Sequence, residues 1–157
     1  MREKLNFKFK NILYFLGVIS IAIFVKYLLV GNPVPHALTD EQYKKLRTID
    51  SVQYLINFAD SANKKCPVYI DSMTTLLNVQ SSGNKMLKFS YSLNIDTSKY
   101  VFSQIKDNIN KYLLNILKTN SDFKFIRDWN ISVVYNYFTP DGKSLFNLEF
   151  TPDNYKL

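Results

Sequence analysis

Hydrophobic and polar positions divide the chain into two unlike parts. From Ile12 to Val30 the sequence is apolar apart from Ser20 and Lys26. As a helix rising 1.5 Å per residue this run covers roughly 28 Å, the thickness of a bilayer's hydrocarbon core. Lys26 lies within a turn of the end, where its four-carbon stem carries the ammonium to the interface beside Tyr27. Gly31-Asn32-Pro33-Val34-Pro35 then stops the helix, because proline lacks the donor and restricts the residue before it. The pattern predicts one membrane crossing followed by a short stiff linker.

Beyond the linker the periodicity changes to that of a globular domain. Thr39-Asp40-Glu41-Gln42 reads as a capping box, and apolar residues recur at Tyr43, Leu46, Ile49, Val52, Leu55, Ile56, Ala59 and Ala62. They predict a helix whose polar first part is a stalk and whose part Val52–Ala62 packs on the domain, ending at Asn63–Pro67. Val68–Gln80 is β-rich and predicts one strand, with no clear inward parity. After the turn Ser81-Ser82-Gly83-Asn84, Met86–Leu93 alternates, Leu87, Phe89, Tyr91 and Leu93 opposing Lys88, Ser90 and Ser92. Asp96-Thr97-Ser98 caps a second helix carrying Phe102, Ile105, Ile109, Tyr112, Leu113, Ile116 and Leu117 at three- and four-residue steps. Asn120-Ser121-Asp122 breaks it, and Phe123–Trp129 is a connector of ambiguous type. Ile131–Phe138 then reads as a strand, Thr139-Pro140-Asp141-Gly142 as a turn, and Leu145–Phe150 as the returning strand before a polar tail. The two hairpins superimpose at an offset of 59 residues with Gly83 set on Gly142. The expected fold is therefore α+β: αββαββ, a four-stranded antiparallel sheet with two helices on one face, a two-layer sandwich of ferredoxin-like kind.

Charge turns the apolar run into a topology. The net charge of the 157 residues is +7, and residues 1–30 supply +4 of it through Arg2, Lys4, Lys8, Lys10 and Lys26 against Glu3. By the positive-inside rule the N-terminus is cytoplasmic. This predicts a cytoplasmic tail at 1–11, a transmembrane signal anchor at 12–30, a linker and stalk at 31–50, and an extracytoplasmic domain at 51–157. The protein is then a single-pass protein of the inner (cytoplasmic) membrane whose domain is periplasmic or extracellular. A cleaved signal peptide is the competing reading, since Asn11–Val25 is no longer than a signal core; cutting after Ala37, however, sets Pro35 at the −3 position. Both readings export the domain. The basic group Lys44, Lys45 and Arg47 is flanked by Asp40, Glu41 and Asp50 and reads as a solvated helix face, so no nucleic-acid partner is expected.

Candidate chemistry is sparse. One His, one Cys and four glycines leave little for a histidine site, a metal cluster or a phosphate-cradling loop, so no cofactor, no metal and no enzymatic activity are expected. Cys66 lies between Lys64-Lys65 and Pro67, where neighbouring ammonium groups can favour a thiolate; the plainer reading is a half-buried residue at a strand start. Asp71, Arg127 and Asp128 stand near strand starts, where an Arg–Asp pair would fix register. Tyr69, Tyr91, Tyr135, Tyr137 and Trp129 read as sheet packing rather than a binding platform, and His36 as an exposed residue of the linker.

The segments Asn63-Lys64-Lys65-Cys66-Pro67-Val68-Tyr69-Ile70-Asp71, Leu87-Lys88-Phe89-Ser90-Tyr91, Phe125-Ile126-Arg127-Asp128 and Val133-Val134-Tyr135-Asn136-Tyr137 resemble a group of small bacterial exported proteins of unassigned activity. The resemblance spans about Leu55 to Pro152 and implies no catalytic residue. In layout, the order of tail, membrane helix, stalk and repeated helix–strand–strand is similar to inner-membrane assembly proteins of type IV pilus and type II secretion systems. That likeness implies an accessory or scaffold subunit of an envelope complex, held in the membrane by 12–30 and meeting a protein partner or a second copy of itself. Two alternatives stand beside it: an exported domain binding a small ligand or lipid, and a thiol enzyme using Cys66.

Overall fold

The computed structural model describes residues 51–95 and 102–156. The expected membrane segment, linker, stalk, capping box at Thr39 and helix cap at Asp96-Thr97-Ser98 lie outside the described residues. Among the described residues no helix is long and apolar enough to cross a membrane.

Helix α1, Ser51–Asn63, buries Leu55, Ala59 and Ala62, the stripe anticipated for Val52–Ala62. The single strand expected over Val68–Gln80 is two strands. After β1, Val68–Tyr69, the Asp71 carboxylate accepts the N–H groups of Met73 and Thr74 at 2.8 Å each, and this side-chain turn folds the chain back. Strand β2, Thr74–Ser82, then pairs antiparallel with β1, setting Val68 opposite Leu76 and Tyr69 opposite Thr75. A bulge between Leu76 and Asn78 explains why no inward parity could be read: it sets Leu76 and Val79, three positions apart, both in the core. Strand β3, Met86–Leu93, follows the predicted alternation residue for residue.

The remaining elements are α2, Phe102–Thr119; a 3₁₀ turn, Ser121–Phe123; a short helix α3, Lys124–Asp128; β4, Ser132–Phe138; β5, Ser144–Phe150; and a terminal turn of helix α4, Pro152–Tyr155. Gly142, at φ +83°, permits the reversal between β4 and β5. The strands form one five-stranded sheet in the order β1-β2-β3-β4-β5. Its central pair, β3 and β4, is parallel, with Leu87 beside Val133, Phe89 beside Tyr135 and Tyr91 beside Tyr137. The expected four-stranded antiparallel, ferredoxin-like sheet is thus corrected to a mixed five-stranded one. A parallel neighbour needs a crossover, and residues 94–131, with α2 inside them, provide it.

The α+β layering itself holds. Leu87, Phe89, Tyr91, Leu93, Val133, Tyr135, Leu148 and Phe150 line the buried face, against which α1 and α2 bring Leu55, Leu113, Ile116 and Leu117. Strand alternation assigns Lys88, Ser90, Ser92, Asn136, Asn147 and Glu149 to the opposite, polar face. The ambiguous connector is also core: Phe123 and Ile126 are buried, and Phe125 and Trp129 meet Tyr54 and Phe58 of α1 at ring separations of 5.0–6.1 Å.

The expected polar tail is corrected as well. Tyr155 is 1% exposed and its hydroxyl donates to the carbonyls of Ile126 at 3.2 Å and Ile131 at 2.7 Å, fastening the chain end under the crossover. Burial pushes this hydroxyl up to about 12, so it remains a donor at physiological pH. Tyr155→Phe removes that donor from two carbonyls and is expected to lower unfolding stability by about 1–3 kcal/mol. Urea titration reads this as a lower midpoint at unchanged slope.

Candidate interaction site

One stripe of α1 holds Ile56, Ala59, Asp60 and Asn63, at the three- and four-residue steps that align side chains along a helix. Beside it run Val79, Gln80, Ser81 and Ser82 of β2, with Lys88 from β3. Together they line an open cleft of about 340 Å³. Ile56, Ala59 and Val79 give it an apolar strip; the other residues are polar or charged.

Asn63 decides the geometry of this cleft. Its side-chain amide donates to the Val79 carbonyl at 2.7 Å and accepts the Val79 N–H at 2.8 Å. Both backbone groups of Val79 therefore point away from β3, toward the outer edge of the sheet. Antiparallel ladders alternate, so Gln80 turns its pair toward Lys88 of β3 and Ser81 turns its pair outward again. β1 covers this edge only opposite Thr75 and Leu76. Past it the Asn63 amide substitutes for a strand at Val79, and Ser81 has no backbone partner on the outer side among the described residues. The Ser81 hydroxyl is buried and also without a partner.

Other features gather at the same edge. Among the described residues the exposed large hydrophobic side chains are Ile56 and Leu77, each 38% exposed, and Tyr69, 81% exposed; all belong to α1, β1 or β2. Asp60 and Lys88 balance each other in the lining, and Lys64, next to Asn63, adds a positive charge at the end of α1.

The residues singled out from sequence do not converge on one site. Cys66 is half-buried against the core, and burial pushes its thiol up rather than down, desolvation outweighing the neighbouring lysines. Asp71 holds its turn, with its second oxygen buried and unpartnered. Arg127 donates to the carbonyls of Leu117 at 2.7 Å and Asn120 at 2.9 Å, closing the C-terminal end of α2. Asp128 pairs with Lys124 at 2.6 Å, so the register-fixing Arg–Asp pair is replaced by two local contacts. Tyr91, Tyr135 and Tyr137 stack in the core, where burial pushes their hydroxyls up, whereas Tyr69 is exposed. His36 lies outside the described residues. No group of three His, Cys, Asp or Glu residues among those described is placed to hold a metal ion. Asn63 and Ser81 were not foreseen: Asn63 reads in sequence as a helix terminator, and nothing local marks a bond to a residue sixteen positions on.

A family model described as Domain of unknown function (DUF8479) matches residues 51–146, more than half of the chain. No curated protein matches the sequence. Three solved structures share the fold. A predicted secreted protein of Pseudomonas aeruginosa, PA3611, superimposes with a TM-score of 0.58 at 12% identity, over 68% of this chain and 93% of its own. The pilotin EpsS of the Vibrio vulnificus type 2 secretion system gives 0.55 at 12% identity, over 73% of this chain and 98% of its own. The type II secretion pilotin AspS of Vibrio cholerae gives 0.51 at 15% identity, over 71% and 96%. None of these three is an inner-membrane assembly protein, the class that the layout of the sequence resembles.

Two measurements check the local chemistry. Because the thiolate of Cys66 is disfavoured in the fold, iodoacetamide should alkylate the native protein more slowly than the urea-unfolded chain near neutral pH. Its rate should still be rising above the ordinary value of 9.0. The sign for stability follows: whatever the neutral thiol contributes is complete below the unfolded-state value and declines as pH rises through it. Asn63→Ala should speed amide exchange at Val79 and lower stability by about 1–3 kcal/mol, seen by hydrogen exchange and urea titration.

Proposed function

The chain belongs to the family described as Domain of unknown function (DUF8479), and we propose that it works without catalysis, by protein contact, as an accessory subunit of a secretion-type envelope complex. The observation that carries this reading is the open, mixed-polarity cleft between α1 and the outer edge of β2, with the exposed side chain of Ile56 in its lining and, among the described residues, the other exposed large hydrophobic side chains, Leu77 and Tyr69, on β2 and β1. Small-molecule sites are more enclosed and more uniformly apolar. A polypeptide, which brings both backbone donors and side chains, suits this lining better. The fold shared with two type II secretion pilotins supports the secretion setting.

The placement proposed with it is that residues 12–30 anchor the protein in the inner membrane and hold the domain, 51–157, on the outer side. The anchor then raises the local concentration of the domain beside its partner, which makes a weak contact sufficient. A homodimer through the same cleft satisfies the same reading.

A photo-crosslinking side chain at Ile56, in the full chain within its native membranes, should trap one reproducible partner or a dimer; the same group at Asp141, in the β4–β5 turn, should not. Equal or absent crosslinking from both positions removes the cleft as the contact surface. A reporter fused after Leu157 should be active outside the cytoplasm, and activity confined to the cytoplasm overturns the placement.

A further inference from the structure

We infer that the partner is bound as a strand: an extended, acidic polypeptide segment adds antiparallel to the outer edge of β2 at Val79 and Ser81, displacing the side-chain amide of Asn63. The inference rests on the protein-contact reading and names its mode. Three observations carry it. The first is that Asn63 gives Val79 one donor and one acceptor from a single group, at 2.7 and 2.8 Å, which is what one residue of an antiparallel strand would give. The edge is thus shaped for a strand and is held at that point by a side chain. The second is Ser81, the next residue whose backbone faces outward, which has neither an outer backbone partner nor a partner for its buried hydroxyl among the described residues. The third is charge. Asp60 and Lys88 balance each other in the lining, and Lys64, the residue after Asn63, adds a positive charge at the end of α1; neither lysine forms an ion pair among the described residues, which favours an acidic segment.

The location follows from the fold. β1 pairs antiparallel with β2 at Leu76 and Thr75, and its N-terminal extension would lie along Val79 and Ser81. Between α1 and β1 the chain instead turns through Lys64, Lys65 and Cys66, and among the described residues its bonds to this edge at Val79 come from the Asn63 side chain. A segment placed there is collinear with β1. Residues opposite Val79 and Ser81 exchange both hydrogen bonds with them and turn their side chains to the same face, against Ile56 and Ala59. Alternate residues of the segment are therefore apolar. The residues between them turn to the polar face, near Gln80 and Lys88, and carry the acidic groups.

The test uses the full chain and an acetylated, amidated pentapeptide, Glu-Val-Thr-Val-Thr, at about 1 mM, where a weak complex is still populated. Two twins of it are N-methylated, one at both valines and the other at both threonines. Methylation at valine blocks the bonding edge of the added strand, and methylation at threonine blocks only its outer edge. Strand addition requires that the parent and the threonine-methylated peptide bind alike, that the valine-methylated twin bind at least about tenfold more weakly, and that the Ser81 amide become protected from exchange. Ser81→Pro removes an outward N–H that the β2–β3 ladder does not use, so it should abolish binding while the thermal transition persists. Asn63→Ala should bind the parent peptide more tightly although the protein is less stable, an opposition that a purely structural role does not produce. Equal binding of both twins, or no binding of the parent peptide, overturns strand addition. The crosslinks expected from Ile56 are read separately, so their persistence after such a result leaves the protein-contact reading standing, and their absence removes it.

Discussion

The parallel pairing of β3 with β4 is the constraint on which the rest of the domain depends. It joins two antiparallel hairpins, β2–β3 and β4–β5, into one sheet. It also requires the chain to leave one end of the sheet and return at the other, which dictates a crossover and places α2 over the buried face. Register follows the same pair: Phe89 stacks on Tyr135 and Tyr91 on Tyr137, each at 5.4 Å with ring planes within 20°. Tyr137 continues the stack onto Phe146 of β5 at 4.7 Å. A slip of one residue between β3 and β4 would turn these rings to the polar face, so the aromatic column and the ladder specify the same alignment.

The crossover then explains the elements that look incidental. Phe125 and Trp129 fill the space beside Tyr54 and Phe58 of α1, while Ile126 turns into the core. Arg127 closes α2 by hydrogen bonding its last carbonyls. Tyr155, from the end of the described chain, reaches back to the Ile126 and Ile131 carbonyls. The Ile126 carbonyl, within α3, already accepts the Ile131 N–H at 3.0 Å, and the phenol hydroxyl ties the two carbonyls together where helix gives way to strand.

Which parts were legible in the sequence follows from the range of the interactions involved. The alternation of Met86–Leu93 and the stripes of both main helices are set by local periodicity against a single buried face, and they emerge as read. Three other features escape that periodicity. The Asp71 side chain competes with the strand that the β-branched residues around it favour, and splits Val68–Gln80 in two. The bulge at Leu76–Asn78 shifts the parity of β2. The parallel sense of β3 and β4 is invisible to periodicity, because either sense buries Leu87, Phe89 and Tyr91 equally well. The candidate site was the least legible part. Arg127 and Asp128, chosen for their charge, serve local caps and pairs, while the cleft is organised by a neutral amide whose target lies in another element.

The role of Asn63 joins stability to recognition. An uncovered edge strand invites indiscriminate pairing, and domains blunt such edges with short strands, charges or side-chain covers. Here β1 is two residues long, and the cover beyond it is an amide on the last residue of α1. A covering strand of the protein's own would have to be unzipped before another could enter; an amide leaves by rotation of one side chain. Its departure gives up two hydrogen bonds, worth roughly 1–3 kcal/mol in total, and an incoming residue opposite Val79 restores both. The net gain for an incoming strand therefore comes from the bonds at Ser81 and from apolar contact with Ile56 and Ala59. Those are few, so the contact is weak for a free segment, and the proposed anchor would supply, for a partner held at the same membrane, the effective concentration that makes it sufficient. The amide guard and the proposed anchor thus work in the same direction: the first suppresses pairing with passing chains, and the second restores it for a partner held close by.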